Sequence, residues 1–166
     1  LHALHRLDKP VSGLVLFART SKALTRLNES IKAQDTKKIY FALVEGNLPN
    51  LVGSLEHYLV HDNYRARIVP PNHPEGKLAK LTYQVVKSNG SLTLVRIELE
   101  TGRYHQIRAQ FSSIGAPILG DSKYGSRLPF QPKTIALHHR YLEIPYPTTK
   151  KPILFEAPLP KYWPEI

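Results

Sequence analysis

Cysteine and methionine are both absent from this chain of 166 residues. Without cysteine there is no disulfide, no thiolate metal site and no cysteine nucleophile. No apolar run approaches the ~20 residues that span a bilayer. No HExxH, GxGxxG, Walker A loop or GxSxG occurs, so nothing in the motifs supports a zinc site, a nucleotide cofactor or a serine-hydrolase elbow. The missing methionine is of a different kind. A translation product begins with Met and this chain begins with Leu1. The expectation is a chain that lacks its beginning.

What is present is positive charge. Lys and Arg number 23 against 13 Asp and Glu, a formal net charge of +10. Such a surplus favours an acidic partner, usually nucleic acid. A solvated basic surface is the plainer alternative. Residues 1–50 hold eight basic and four acidic groups, residues 101–166 nine and four, and the middle is nearly balanced. A single basic face would have to be built from both ends of the sequence. The length suits one domain with a core of its own.

Periodicity places the elements. Gly13–Ala18 reads as a short buried strand. Thr20 or Ser21 caps a helix marked by Leu24, Leu27 and Ile31 and running to about Gln34. Ile39–Val44 is a strand, and residues 54–70 are two strands turning at His61-Asp62-Asn63. Leu78–Val86 and Leu92–Leu99 flank Asn89-Gly90, a hairpin signal. A second helix starts near His105, carries Ile107, Phe111 and Ile114, and stops at Gly115. Gly120–Pro132 is a loop, Ile135–Ile144 a long strand and Ile153–Ala157 a short one. The predicted class is α+β: a mixed, largely antiparallel sheet with a few flanking helices.

Three segments gather polar residues beside turns. In His5-Arg6-Leu7-Asp8-Lys9-Pro10, Asp8 is either a nucleophile or base at the lip of a sheet or a turn cap among solvated cations. In Leu99-Glu100-Thr101-Gly102-Arg103-Tyr104-His105-Gln106-Ile107-Arg108, a strand turns into a helix. Arg108 falls in the first turn, on nearly the same side as His105. A cation there opposes the helix dipole, which points to a carboxylate or phosphate partner. A surface arginine is the alternative. On the strand at Lys38-Ile39-Tyr40, Lys38 and Tyr40 share a face. Tyr40 could stack on a base beside phosphate contacts, or be a core residue of an edge strand. His57 and His61 are too far apart on a strand to act together, and His138 and His139 point to opposite faces.

At these segments the chain resembles the RluA-type family of RNA pseudouridine synthases. The family pattern H-R-L-D-x-x-T-S-G-L is matched from His5 to Leu14, with Val11 in place of Thr. L-x-T-G-R-x-H-Q-I-R is met in full from Leu99 to Arg108. Lys38-Ile39-Tyr40, Gly115–Gly125, Ala136-Leu137-His138 and Phe155–Pro160 follow in order. The resemblance implies the pseudouridine synthase catalytic fold and isomerisation of uridine in ribosomal or transfer RNA. It implies Asp8 as nucleophile, Arg108 as the arginine that pairs with it, and Tyr40 packed against the uracil as the group that removes the C5 proton. Arg6 resembles the arginine that fills the space left by the flipped base. His5, Lys38, Arg103, His105 and Gln106 are assigned to RNA contact. The redox-neutral reaction needs no cofactor and no metal. A cytoplasmic, monomeric protein without membrane association is expected. Residues 1–166 are expected to be one catalytic domain truncated at its N-terminus, without a strand that relatives carry ahead of the H-R-L-D segment and without a separate N-terminal RNA-binding domain. The alternatives are a non-catalytic RNA-binding module on the same scaffold and a metal-dependent hydrolase. The latter would need clustered carboxylates that the sequence does not show.

Overall fold

The structure is a computed structural model and describes residues 1–166. The chain opens with three two-residue strands, His2–Ala3 (β1), Ser12–Gly13 (β2) and Phe17–Ala18 (β3). Helix α1, Ser21–Lys32, follows, then strands β4 (Lys37–Glu45), β5 (Val52–Asp62), β6 (Arg65–Val69), β7 (Lys77–Ser88) and β8 (Leu92–Leu99). Helix α2 spans Gln106–Ser113, and β9 (Leu137–Pro145) and β10 (Pro152–Glu156) complete the fold.

The main sheet has the order β10-β9-β4-β8-β7-β5-β6, and every neighbouring pair along it is antiparallel. Only β2 runs parallel, beside β9 at Ser12↔His138 and Gly13↔His139. The mixed, largely antiparallel α+β architecture is therefore as expected. β8 alternates, with Thr93, Val95 and Ile97 buried and the residues between them less so. That is the pattern of a strand with one face on the core. β4 lies at the centre of the sheet and buries Ile39 and Tyr40 and then Ala42, Leu43 and Val44, so both of its faces are covered.

Helix α2 lies over the sheet. Six successive residues, Gln106–Phe111, are buried, so this short helix is enclosed on every side. Ile107 and Phe111 join Tyr83, Val95 and Ile97 in the largest apolar cluster. Gly115, at φ +80°, stops the helix as its position suggested. α1 begins where Thr20 Oγ1 accepts from the Ala23 N–H at 3.1 Å and buries Leu27 against Ala18 and Ile144. The hairpin at Asn89-Gly90 forms, with Asn89 Oδ1 accepting the amides of Ser91 and Leu92.

Two expectations need correction. Gly13–Ala18 is not one strand. Gly13 pairs with β9 and the Leu14 N–H donates to the His139 carbonyl, after which the chain leaves that sheet and Phe17–Ala18 pairs with β1. Apolar periodicity cannot distinguish two short pairings from one long one. Tyr40 is not on an edge strand, because β4 is flanked by β8 and β9. In addition, the loop Gly120–Pro132 contains a turn of 3-10 helix at Ser122–Tyr124.

Candidate active site

Asp8 sits in a tight turn, and the close approach of Gly13 to β9 holds that turn in place. A Cβ on Gly13 would overlap the His139 backbone, and its φ of +114° excludes most side chains. Beyond the turn, Ser12 Oγ donates to His138 Nδ1 at 2.7 Å, while His138 Nε2 donates to the Ala157 carbonyl at 2.9 Å. The Asp8 loop, β9 and the chain's last segment are thereby tied together.

Arg108 comes to Asp8 from α2. Its Nη1 donates to Asp8 Oδ2 at 3.4 Å. The remainder of the guanidinium is taken by Asp121, with Nε to Oδ2 at 2.8 Å and Nη2 to Oδ1 at 2.9 Å. Burial opposes the charge on Arg108, but the Asp121 hydrogen bonds and the charges of Asp121 and Asp8 raise its pKa further. The carboxylate partner that the helix dipole called for is thus present twice. A fork-to-fork contact fixes the guanidinium plane and leaves Nη1 aimed at Asp8.

His105 completes this corner. It caps α2 in the left-handed region, at φ 52°, an uncommon conformation for a residue with a side chain. Burial first, and then the Arg108 charge, lower its pKa to about 4. Its ring is neutral near pH 7, so the 3.8 Å approach of Nε2 to Asp8 Oδ2 is not an ion pair there. Arginine has no acceptor, so Arg108 Nη1 donates to His105 Nε2 at 3.1 Å. Nδ1 then carries the proton and donates to Tyr124 Oη at 2.7 Å.

Tyr40 occupies the opposite wall. Its ring lies flat on His139, centroids 4.4 Å apart and planes 4° apart. A bulge makes this match: β4 and β9 pair as Ile39↔Tyr141 and then Tyr40↔His139, with Arg140 left over. Such bulges re-aim side chains. Burial and the Asp8 charge both raise the Tyr40 pKa, so the phenol is protonated. The Asp8 charge acting on Tyr40 joins the two walls. His139 is wholly buried, donates from Nδ1 to the Leu14 carbonyl at 3.0 Å, and leaves Nε2 without a partner.

The other residues expected at the site divide. His5 meets His139 edge-on at 5.3 Å and accepts the Leu16 N–H at Nε2. Lys38 is half-buried, and its charge lowers the pKa of both His5 and His139 after burial has done so. Arg6 is exposed. Arg103 is exposed and its Nε donates to the Leu78 carbonyl. Gln106 is buried: Oε1 accepts from Thr101 Oγ1 and the Arg103 N–H, and Nε2 donates to the Lys80 carbonyl. Its amide is occupied in holding the turn. Three residues had no role in the sequence reading: Asp121, His139 and Tyr124. Asp121 lies inside a matched segment, Gly115–Gly125, and the conflict of the Arg108 charge with the α2 dipole was the signal for a partner such as this. His139 had none, since its contact with Tyr40 is made by a bulge in the pairing of β4 with β9 that no local pattern shows. A cleft of about 510 Å³ beside Arg108 and Asp121 is walled by Lys123, Arg127 and Lys133.

The arrangement of sheet and helices agrees with comparison to known proteins. The RNA pseudouridylate synthase family profile matches residues 1–113, and the chain belongs to that family. It is 35% identical over 172 residues to ribosomal large subunit pseudouridine synthase D of Pseudomonas aeruginosa, covering 95% of this chain and 53% of that protein. It is 35% identical to ribosomal large subunit pseudouridine synthase C of Rickettsia prowazekii, covering 96% and 54%. The chain spans about half the length of these relatives. Human RNA pseudouridylate synthase domain containing 4 has the same fold, with TM-score 0.83 at 23% identity over 97% of this chain and 72% of that one. No helix is long and apolar enough to cross a membrane.

Proposed function

We propose that residues 1–166 form one catalytic domain that isomerises uridine to pseudouridine in RNA, without metal or cofactor. The observation that carries this reading is a carboxylate, Asp8, held by one nitrogen of a buried guanidinium whose other nitrogens are clamped by Asp121. A surface ion pair needs no such clamp. A nucleophile that must keep its position while a base turns beside it does need one.

In the proposed reaction, the target uridine leaves its stack, which costs a few kcal/mol, and exposed Arg6 fills the gap. The Asp8 carboxylate forms a covalent bond to the nucleoside, and the bond between C1′ and N1 breaks. The uracil turns, C5 joins C1′, and Asp8 is released. The C5 proton is lost and N1 regains one, so the product is an isomer and no electron is gained or lost. Tyr40 lies against the base and takes the C5 proton. Its raised pKa comes partly from the charge of Asp8. Because the phenol starts protonated, it takes the C5 proton only as its own proton passes on toward N1, so the exchange balances. His5, Lys38 and Arg103 supply polar contacts to the RNA at the rim. Ribosomal RNA is the first substrate to try, since two of the relatives are named for the large ribosomal subunit, with transfer RNA second.

The test is to incubate unmodified transcripts of ribosomal and transfer RNA with the chain and map pseudouridine by chemical labelling and primer extension. Pseudouridine with the native chain and none with Asp8→Asn is expected. Equal product from both proteins rejects the assignment of Asp8. RNA binding without product from the native chain makes it a binding module.

A further inference from the structure

Three rings form a continuous stack between the tip of the β5–β6 hairpin and the catalytic corner. His61, at the end of β5, lies on Tyr104 with centroids 3.7 Å apart and planes 20° apart. Tyr104 lies on His105 at 3.9 Å and 14°. At its inner end the stack touches the chemistry, with His105 Nε2 3.1 Å from Arg108 Nη1 and 3.8 Å from Asp8 Oδ2. The outer end is open. His61 is exposed and only one of its faces is covered by Tyr104.

Apolar burial does not account for this arrangement. Tyr104 is 38% exposed and His61 is exposed as well. Holding exposed side chains in one rotamer loses entropy with little area to compensate. Nevertheless the outer ring is pinned: His61 Nε2 donates to the Asn63 carbonyl at 2.7 Å, and Asn63 takes the left-handed conformation at φ 57° in the hairpin turn. Cations surround the stack. Arg65 Nη2 donates to the Lys123 carbonyl, and Lys123 Nζ donates to the Tyr64 carbonyl, so the hairpin tip and the 3-10 turn hold each other. The charge of Lys123 reaches His105. An oriented aromatic face with cations beside it is the arrangement that takes a base of a single strand while its phosphates lie along the charges.

We propose that the open face of His61 is a stacking site for an unpaired nucleobase of the RNA, flanking the target uridine, which makes the His61–Tyr104–His105 stack a substrate-selecting element. The site reads unpaired context rather than sequence, because every base has a stacking face. It rests on the RNA-modifying reading above, and it lies outside the Asp8, Arg108 and Tyr40 machinery of that reading.

The test uses RNA hairpins with a loop uridine and 2-aminopurine placed at one loop position at a time. Stacking on an aromatic ring quenches 2-aminopurine. With the native chain, one flanking position is expected to be quenched on binding. His61→Ala should lose that quench and bind about tenfold more weakly. His61→Phe, which keeps a ring, should retain it. If His61→Ala lowers the unfolding midpoint, His61→Gln keeps a donor for the Asn63 carbonyl without a ring and should also lose the quench. If the native chain makes pseudouridine but quench and affinity are the same for the native chain, His61→Ala and His61→Gln at every position, the stacking site is wrong and the proposed activity stands. If the native chain neither binds RNA nor makes pseudouridine, the activity fails and the stacking site with it.

Discussion

Asp8 and Asp121 approach one guanidinium from two turns of the chain. Asp8 does so through a single oxygen at 3.4 Å, with its side chain 28% exposed. Asp121 does so through two oxygens at 2.8 and 2.9 Å, with its side chain 2% exposed. The loose contact leaves Asp8 lone pairs free for a substrate. The tight one satisfies a charge that burial would otherwise destabilise. One arginine therefore serves a carboxylate proposed for the chemistry and a structural one, and they differ in distance and burial.

Substitutions that separate the two halves should produce opposite signatures. The largest effect expected is that of Asp8→Ala on activity, a loss of at least about 10⁴-fold in pseudouridine formation. Its stability should change by no more than about 1 kcal/mol, since this pair is partly solvated and Asp121 still holds Arg108. Asp121→Ala should reverse the order of effects. Leaving Arg108 buried without its main partner should cost about 3–5 kcal/mol in denaturant unfolding. If Asp121→Ala proves as stable as the native chain, the structural half of the comparison is wrong. Tyr40→Phe sharpens the functional half: a loss of about 10²–10³-fold in turnover is expected, with the unfolding midpoint nearly unchanged because the ring stacked on His139 remains.

The smallest effect is that of pH. His105 and His139 each have a folded pKa of about 4 against an ordinary 6.5. Between those values the unfolded chain binds protons that the folded chain refuses. Stability is therefore complete above about pH 6.5 and falls as pH drops toward 4, by about 3 kcal/mol for each ring over the whole interval, of which about 1–2 kcal/mol is lost between pH 7 and pH 5. Unfolding followed at pH 7 and pH 5 measures the fall. His139→Phe should reduce it, and an unchanged slope would remove His139 as a cause.

Much of the scaffold was legible in the residues. The Asn89-Gly90 turn, the Thr20 cap and the Gly115 stop are local chemistry, and each appears where its residue type demands. The conflict of Arg108 with its helix dipole was also legible; it pointed to a carboxylate or a phosphate, and the structure supplies carboxylates. Other features were hidden because they depend on partners distant in sequence. The run Gly13–Ala18 divides between two sheets, and only the overlap of a Gly13 Cβ with His139 shows why the chain must turn there. Gln106 stands in a matched motif facing RNA by expectation, yet its amide is used by Thr101, Arg103 and Lys80. His61 looked idle on a strand until the turn before α2 brought Tyr104 beneath it.

The amino-acid sequence by itself determined the class of fold, the surplus of positive charge and the motifs that mark the residues proposed for the chemistry, because periodicity, charge and motif spacing are properties of neighbouring residues. Tertiary structure alone decided that Asp8 and Asp121 share Arg108, that Tyr40 rests on His139, and that three rings line up outside the site. Those contacts join segments up to a hundred residues apart, and their geometry follows from a bulge, a glycine contact and a left-handed cap that no local pattern encodes.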